Sequence, residues 1–106
     1  MIIPLSIVAA FADCIEAVDM AVVAQYQERL RGLDAPPPIL VRRQNRDGFY
    51  VIEDGHHRIM AHHLECWGNI RADIRTDREP VELSWRWPRV IPVADAAPIY
   101  LVLRKR

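Results

Sequence analysis

The four glycines of the chain divide it into segments that limit what it can fold into. All four, Gly32, Gly48, Gly55 and Gly68, fall at an end of a predicted helix or strand. Glycine is common at helix ends and turns, because it lacks the Cβ atom that restricts the backbone. The glycines therefore predict short helices and strands, each of which ends close to a glycine.

The segments between the glycines have the periodicities of two helices and several strands. Asp19 is expected to cap a helix from Met20 to Arg31, and Gly32 to stop it in the left-handed conformation. A second helix is expected from residue 56 or 57 to Trp67, with Gly68 as its stop. The predicted strands are 2–8, 39–41, 49–52, 70–74, 81–87 and 99–103.

This order of elements predicts an α/β (α+β) fold, with two helices packed on a small mixed sheet and a β-rich C-terminal extension. A chain of 106 residues is expected to form a single domain. The segment 35–38 is expected to be a stiff extended linker, because prolines fix the backbone. The strands on either side of the loop Arg42–Gly48 are expected to form a β-hairpin.

Composition excludes several classes of protein. Hydrophobic residues make up 51% of the chain, and 14 basic residues balance 14 acidic ones, so bulk charge does not indicate a nucleic-acid binder. Two cysteines, Cys14 and Cys66, are too few for a disulfide framework or a cysteine-rich metal site. Both are expected to fill the core. Because the apolar first twelve residues lack a positive charge and are too short to span a membrane, we expect a cytoplasmic protein.

One short stretch has the residue types of a binding site: Asp54-Gly55-His56-His57-Arg58. It joins a predicted strand to a predicted helix, whose first N–H groups are unpaired and carry partial positive charge. A glycine lets the backbone approach a ligand, histidines add donors, and the arginine fork fits phosphate oxygens. These residues predict an anion site, with phosphate as the ligand. The alternative is a structural turn in which Arg58 pairs with Glu53 or Asp54.

The same stretch lies within a longer pattern over residues 36–74. Pro-Pro-Pro-Ile-Leu-Val is followed by Asp-Gly-Phe-Tyr-Val-Ile-Glu-Asp-Gly-His-His-Arg-Ile-Met-Ala and then by Trp-Gly-Asn-Ile-Arg-Ala-Asp-Ile. This pattern resembles the ParB/sulfiredoxin-like superfamily, which includes ParB N-terminal and ParB-like nuclease domains. With the N-terminal strand and helix, the resemblance covers about residues 1–75 and leaves 76–106 as an extension.

The resemblance implies a nucleoside triphosphate, ATP or CTP, held at the turn by Gly55, His56, His57 and Arg58. Relatives in this superfamily include ParB, which binds CTP, and sulfiredoxin, which uses ATP. They also include free-serine kinases and plasmid or phage proteins described as nucleases or ATPases. NTPase, phosphotransferase and Mg²⁺-dependent nuclease activities remain alternatives, because a fold alone does not determine which reaction a protein catalyses.

Departures from the relatives narrow these alternatives. Sulfiredoxin has a cysteine where this chain has His56, so sulfinate reduction is not expected. About thirty residues follow the module, which is too few for the DNA-binding and dimerisation domains of ParB. Full clamp behaviour on a specific DNA site, as in the plasmid partition protein ParB, is therefore not expected of this chain. The pair of histidines is similar to the turn of the kinase-like relatives.

Three acidic residues are catalytic candidates. The resemblance to the kinase-like relatives implies a general base at Glu16, for which a charge at the helix entry is the alternative. Glu53 and Asp54 are expected near the phosphates, where either could hold a metal or orient Arg58. Any Mg²⁺ would be held mainly by phosphates and water. No zinc site is expected, because His57 and His62 diverge by roughly 140° on a helix.

A second hypothesis is a non-catalytic plasmid or phage accessory module that binds DNA or a protein partner, or forms a homodimer. Arg42, Arg43 and Arg46 place three positive charges in the hairpin loop, where they could contact DNA phosphates. A solvated loop is the alternative. Residues 85–89 alternate tryptophan and arginine, which favours either base stacking or a strand buried in a core or dimer interface.

Overall fold

The computed structural model of the chain describes residues 1–84, 86 and 88–95. Its helices are α1 (Ala12–Glu16), α2 (Met20–Arg31) and α3 (His56–Leu64), with a 3₁₀ turn at Leu5–Ile7. Its strands are β1 (Ile2–Pro4), β2 (Val8–Phe11), β3 (Ile39–Arg42), β4 (Tyr50–Asp54), β5 (Asn69–Arg75) and β6 (Val90–Pro92). The predicted α/β class, with helices on a mixed sheet, is confirmed.

The strands form one six-stranded sheet in the order β1-β5-β3-β4-β2-β6. Strands β3 and β4 pair antiparallel, which confirms the predicted hairpin, and β3 pairs parallel with β5. Strand β2 pairs parallel with β4 and antiparallel with β6. The hairpin therefore lies at the centre of the sheet and fixes where α3 begins.

Apolar side chains cover the two faces of the sheet unequally. The main core lies between the sheet and helices α2 and α3, and includes Ile52 of β4 and Ile59 of α3. A smaller cluster on the opposite face contains Val51 of β4 with Val90 of β6. Because side chains alternate along a strand, Asp54 belongs to the helix face and Glu53 to the opposite face.

The N-terminal segment differs from the single predicted strand 2–8. Strand β1 pairs with β5 at one edge of the sheet, whereas β2 lies between β4 and β6 towards the other edge. The 3₁₀ turn carries the chain from one position to the other. Helix α1, which places Glu16 in its last turn, was not predicted.

Both helix ends differ from the prediction in the same way. Helix α2 ends as expected before Gly32, but Gly32 has a φ of −80°, and the left-handed residue is Leu33. Helix α3 ends at Leu64, three residues early, and Cys66 rather than Gly68 is left-handed. Gly32 therefore ends α2 as predicted but without the left-handed conformation, whereas the expectation that Gly68 stops α3 is wrong.

Two further expectations are wrong in the described region. Residues 81–83 form no strand, and Ser84 makes only an isolated bridge with Val90 of the unpredicted strand β6. Cys14 and Cys66 are exposed rather than buried in the core. The predicted strand 99–103, Trp85 and Trp87 lie outside the described residues.

Candidate anion site at the start of helix α3

The turn between β4 and α3 depends on a glycine. Gly55 has a φ of 109° and is the N-cap of α3. A Cβ atom at this position would lie 2.4 Å from Cγ2 of Ile39 and 2.8 Å from its Cβ, closer than real contacts allow. Gly55 is therefore required both by its backbone conformation and by its packing against β3.

Arg58 is fixed over this turn by contacts with the linker. Its Nη1 atom donates to the carbonyl oxygens of Pro37, at 3.2 Å, and Pro38, at 2.7 Å. Its Nη2 atom lies 3.3 Å from Oδ2 of Asp54. This pair is the structural partnership that the sequence offered as the alternative to phosphate binding. Three of the five guanidinium N–H groups are thereby used, and the Nε–H and one Nη2–H are left.

Helix α2 begins beside helix α3. The backbone N–H of Asp19, the N-cap of α2, donates to Nε2 of His57 at 3.1 Å. At the other end of the pair, Glu65 accepts from Gln27 at 3.1 Å and pairs with Arg31 at 2.7 Å. The two helices therefore run parallel, and their N-termini lie at the same end of the molecule.

The histidines at this helix have different environments. Because Nε2 of His57 accepts, its neutral ring carries the proton on Nδ1, which stays a donor. Nε2 of His56 is buried and has no hydrogen-bond partner among the described residues. Burial lowers the pKa of His56, against a smaller opposing effect of Asp54. Burial also lowers the pKa of His62.

Glu53 lies away from this site, on the opposite face of the sheet. Its carboxylate is 2.6 Å from Nε of Arg42 and 3.0 Å from Nη1 of Arg75. Burial raises the pKa of Glu53, but hydrogen bonds from Arg42 and Arg75 lower it by more, so that it lies below its ordinary value of 4.5. Glu53 therefore points away from the turn, because neighbouring residues of a strand point to opposite faces. A catalytic role for Glu53 stays a prediction.

The hairpin arginines contact the segment 78–82 of the same chain. Arg42 donates to the carbonyl oxygen of Glu79, Arg43 donates to that of Arg78, and Arg46 pairs with Glu82 at 3.2 Å. Asn45, which is buried, donates to the carbonyl oxygen of Val81 at 2.8 Å. Each predicted DNA-contacting arginine thus has an intramolecular partner. DNA binding by this loop stays a prediction.

The two remaining acidic candidates, Glu16 and Asp54, differ in their relation to the turn. Glu16 is exposed on α1, and no hydrogen bond or ion pair between described residues connects it with α3. Asp54 is 77% exposed and contacts Arg58 only through the ion pair. No group of three metal-binding side chains lies together in the described part of the chain. A general base at Glu16 stays a prediction.

Sequence reasoning missed the residues that support the turn. Asp19 was expected to cap α2, but not to contact α3. Parallel helices could have been inferred from the connections between parallel strands, which place consecutive helices on one face of a sheet. No sequence signal indicated that Pro37 and Pro38 would accept from Arg58, because this contact depends on the path of the linker.

Strand order and helix placement give an α/β fold with helices on a mixed sheet, similar to the fold of the ParB/sulfiredoxin-like superfamily. Sulfiredoxin from Arabidopsis thaliana has a similar structure, with a TM-score of 0.59 and 28% sequence identity over 72% of this chain and 85% of that chain. The resemblance to the ParB/sulfiredoxin-like superfamily is thereby confirmed. No family model and no curated protein matches the sequence. In the described residues, no helix is long and apolar enough to cross a membrane.

Proposed function

We propose that this protein binds a nucleoside triphosphate, ATP or CTP, with the phosphates at the start of helix α3. The observation that carries the proposal is the hydrogen bond from Asp19 to His57, which holds the N-termini of two parallel helices together. The positive ends of both helix dipoles then act on the same region, which favours an anion there.

The first turn of α3 supplies backbone donors. Its first helical hydrogen bond runs from the N–H of Ile59 to the carbonyl of Gly55, so the N–H groups of His56, His57 and Arg58 have no acceptor within the helix. The left-handed Gly55 has no side chain that could cap them. Phosphate oxygens are suitable acceptors for such a set of N–H groups.

Arg58 adds a charge whose position is already fixed. Its side chain is 13% exposed, and the two linker carbonyls orient the guanidinium before any ligand arrives. Its free Nε lies 3.2 Å from the position of a Cβ atom on Gly55, directly over the turn. Nε–H with the remaining Nη2–H forms a fork of the kind that binds phosphate oxygens in pairs.

The superfamily resemblance gives the ligand class, with ATP as in sulfiredoxin and CTP as in ParB. His56 replaces the cysteine of sulfiredoxin, so we do not propose sulfinate reduction. If the triphosphate is turned over, Mg²⁺ would be held mainly by phosphates and water. Asp54 is the acidic candidate beside the turn, because Glu53 faces the other side of the sheet.

Thermal unfolding with ATP, CTP, GTP and ADP, each with and without Mg²⁺, tests the proposal. A ligand at about a hundred times its Kd stabilises the native state by roughly 2.7 kcal/mol, which in a domain of this size raises Tm by about 10 °C or more. Arg58→Ala should abolish the shift, while Arg29→Ala, at the far end of α2, should keep it.

Because Arg58→Ala also removes two linker contacts, calorimetric titration below its unfolding temperature must accompany the melts. Loss of nucleotide binding by the folded variant supports the site. Unchanged affinity in Arg58→Ala, or no binding of any triphosphate by the wild-type protein, would overturn the proposal.

A further inference from the structure

A cavity of about 610 Å³ lies at the opposite end of the helix pair from the anion site. Its walls come from the ends of α2 and α3, the linker and the start of β5. The volume lies within the roughly 300–1,000 Å³ typical of small-molecule sites. Its position at the helix C-termini, next to Glu65 rather than His57, separates it from the proposed phosphate site.

Apolar side chains make up most of the lining of this cavity, which also includes Asp34, Glu65, Asn69 and Arg71. In the described part of the chain four large apolar side chains are exposed, and three of them, Ile2, Leu33 and Trp67, line the cavity. Exposed apolar side chains concentrated around a concave surface are characteristic of binding sites. Leu33 is held there in the left-handed conformation, which is unfavourable for a leucine.

One polar ring in the wall has a defined hydrogen-bonding capacity. His62 lines the cavity and is only 5% exposed, and its Nδ1 lies 2.6 Å from the carbonyl oxygen of Arg58. A carbonyl oxygen only accepts, so Nδ1 carries the proton and Nε2 has a free lone pair. Nε2 has no hydrogen-bond partner among the described residues. Burial lowers the pKa of His62, which keeps the ring neutral near pH 7.

We propose that this cavity binds a small, planar, mainly apolar molecule with one N–H or O–H donor directed at Nε2 of His62. Trp67 lies edge-on to the His62 ring, with their centroids 5.5 Å apart, and its exposed surface offers an aromatic contact for a planar ligand. A ligand that donates to Nε2 and is otherwise apolar leaves no polar group of its own buried without a partner.

Nitrogen–proton correlation spectra with indole and N-methylindole test this proposal. Indole has the N–H donor, and N-methylindole has nearly the same shape without it. We expect saturable shifts of cavity resonances with indole, little change at Gly55, and about threefold to tenfold weaker binding of N-methylindole, the effect of one neutral hydrogen bond.

Leu33→Gly removes one apolar wall and relieves the unfavourable backbone conformation, so the variant should fold. It should weaken indole binding at least threefold, whereas Ala24→Ser, an exposed position on α2 outside the cavity, should not change it. Three results would overturn the proposal: no saturable shifts with indole, equal affinity for both probes, or broadening of the cavity resonances with protein concentration alone. The last would mean that a second copy of the chain covers this face.

Discussion

Glu53 and Asp54 are neighbours in sequence, but they belong to two regions with opposite properties. On the face opposite the helices, Glu53 lies between Arg42 and Arg75. Its two ion pairs join strand β4 to β3 and β5. On the helix face, Asp54 is mostly exposed, and two N–H groups of Arg58 have no partner in the described part of the chain. The comparison separates charges that hold the fold from charges that are available to a ligand.

Packing shows the same contrast. On the face of the sheet opposite the helices, the hairpin loop contacts the segment 78–82 through Arg42, Arg43, Asn45 and Arg46. On the helix side the backbone N–H groups of His56, His57 and Arg58 have no acceptor within α3, and Nε2 of His56 is buried with no partner among the described residues. Satisfied polar groups stabilise a structure, whereas unsatisfied ones indicate a place where a ligand completes it.

The largest expected effect is at the turn itself. Gly55→Ala should lower the free energy of unfolding by about 2–5 kcal/mol, through the left-handed backbone and the clash with Ile39. Gly48→Ala is the matched control, because Gly48 has a φ of 82° but nothing within 4 Å of its Cβ position. It should cost only about 1–2 kcal/mol. Urea unfolding measures both, and equal losses would show that the contact with Ile39 does not constrain the turn.

Exchanging each of the two neighbouring acids for its amide compares the two faces directly. Glu53→Gln should destabilise the fold by about 1–3 kcal/mol, because it weakens charged hydrogen bonds in a largely buried cluster. Asp54→Asn should cost less than about 1 kcal/mol, since its ion pair is exposed. Chemical denaturation gives both values. A larger loss of stability for Asp54→Asn would show that the fold depends on the charge of Asp54 more than on that of Glu53.

The two faces should also lose stability in different pH ranges. The pKa values of His56 and His62 are lowered by burial, so the unfolded chain binds protons more readily and stability falls as the pH drops below about 6.5. The pKa of Glu53 is lowered too, so its contribution is present above 4.5 and is lost as the pH falls further.

Urea unfolding at pH values from about 8 to 3 should therefore show two successive declines in the free energy of unfolding. His56→Gln should reduce the decline near pH 6, and Glu53→Gln should reduce the one at acid pH. If Glu53→Gln left the acid decline unchanged, the Glu53 cluster would not be its source.

The smallest effect is expected at the edge of the hairpin. Arg46 is 83% exposed and its partner Glu82 is 47% exposed, so Arg46→Ala should cost less than about 0.5 kcal/mol. Asn45→Ala should cost more, because it leaves the N–H groups of Asp47 and Phe49 without their acceptor. Thermal melts of the two variants test the order.

The sequence contained enough information for the parts of the fold that depend on local patterns. Helix α2 followed from its spacing of apolar residues. Its N-cap followed from Asp19, whose side chain accepts a hydrogen bond from the N–H of Ala21. The hairpin and the turn at Gly55 followed from turn residues between β-branched runs. Strand β6 could not be predicted, because it is short, ends in a proline and depends on pairing with β2, far away in sequence.

The composition of the site was predicted better than its arrangement. Gly55 to Arg58 lie at the start of α3, as expected, but nothing local distinguishes Glu53 from Asp54. Their separation depends on the strand register that pairs Val41 with Ile52 and so brings Arg42 to Glu53. The exposure of Cys14 and Cys66 likewise depends on how the helix ends are packed.

Arg58 connects the turn at the start of α3 with the cavity. Its guanidinium holds Pro37, which is also part of the cavity wall, and its carbonyl oxygen accepts from His62, which faces the same cavity. One residue of the proposed phosphate site thus contacts two residues that line the cavity. If a ligand at either end displaces Arg58, thermodynamic linkage requires the two sites to change each other's affinity by the same factor. Titrating indole with and without ATP would measure that factor directly.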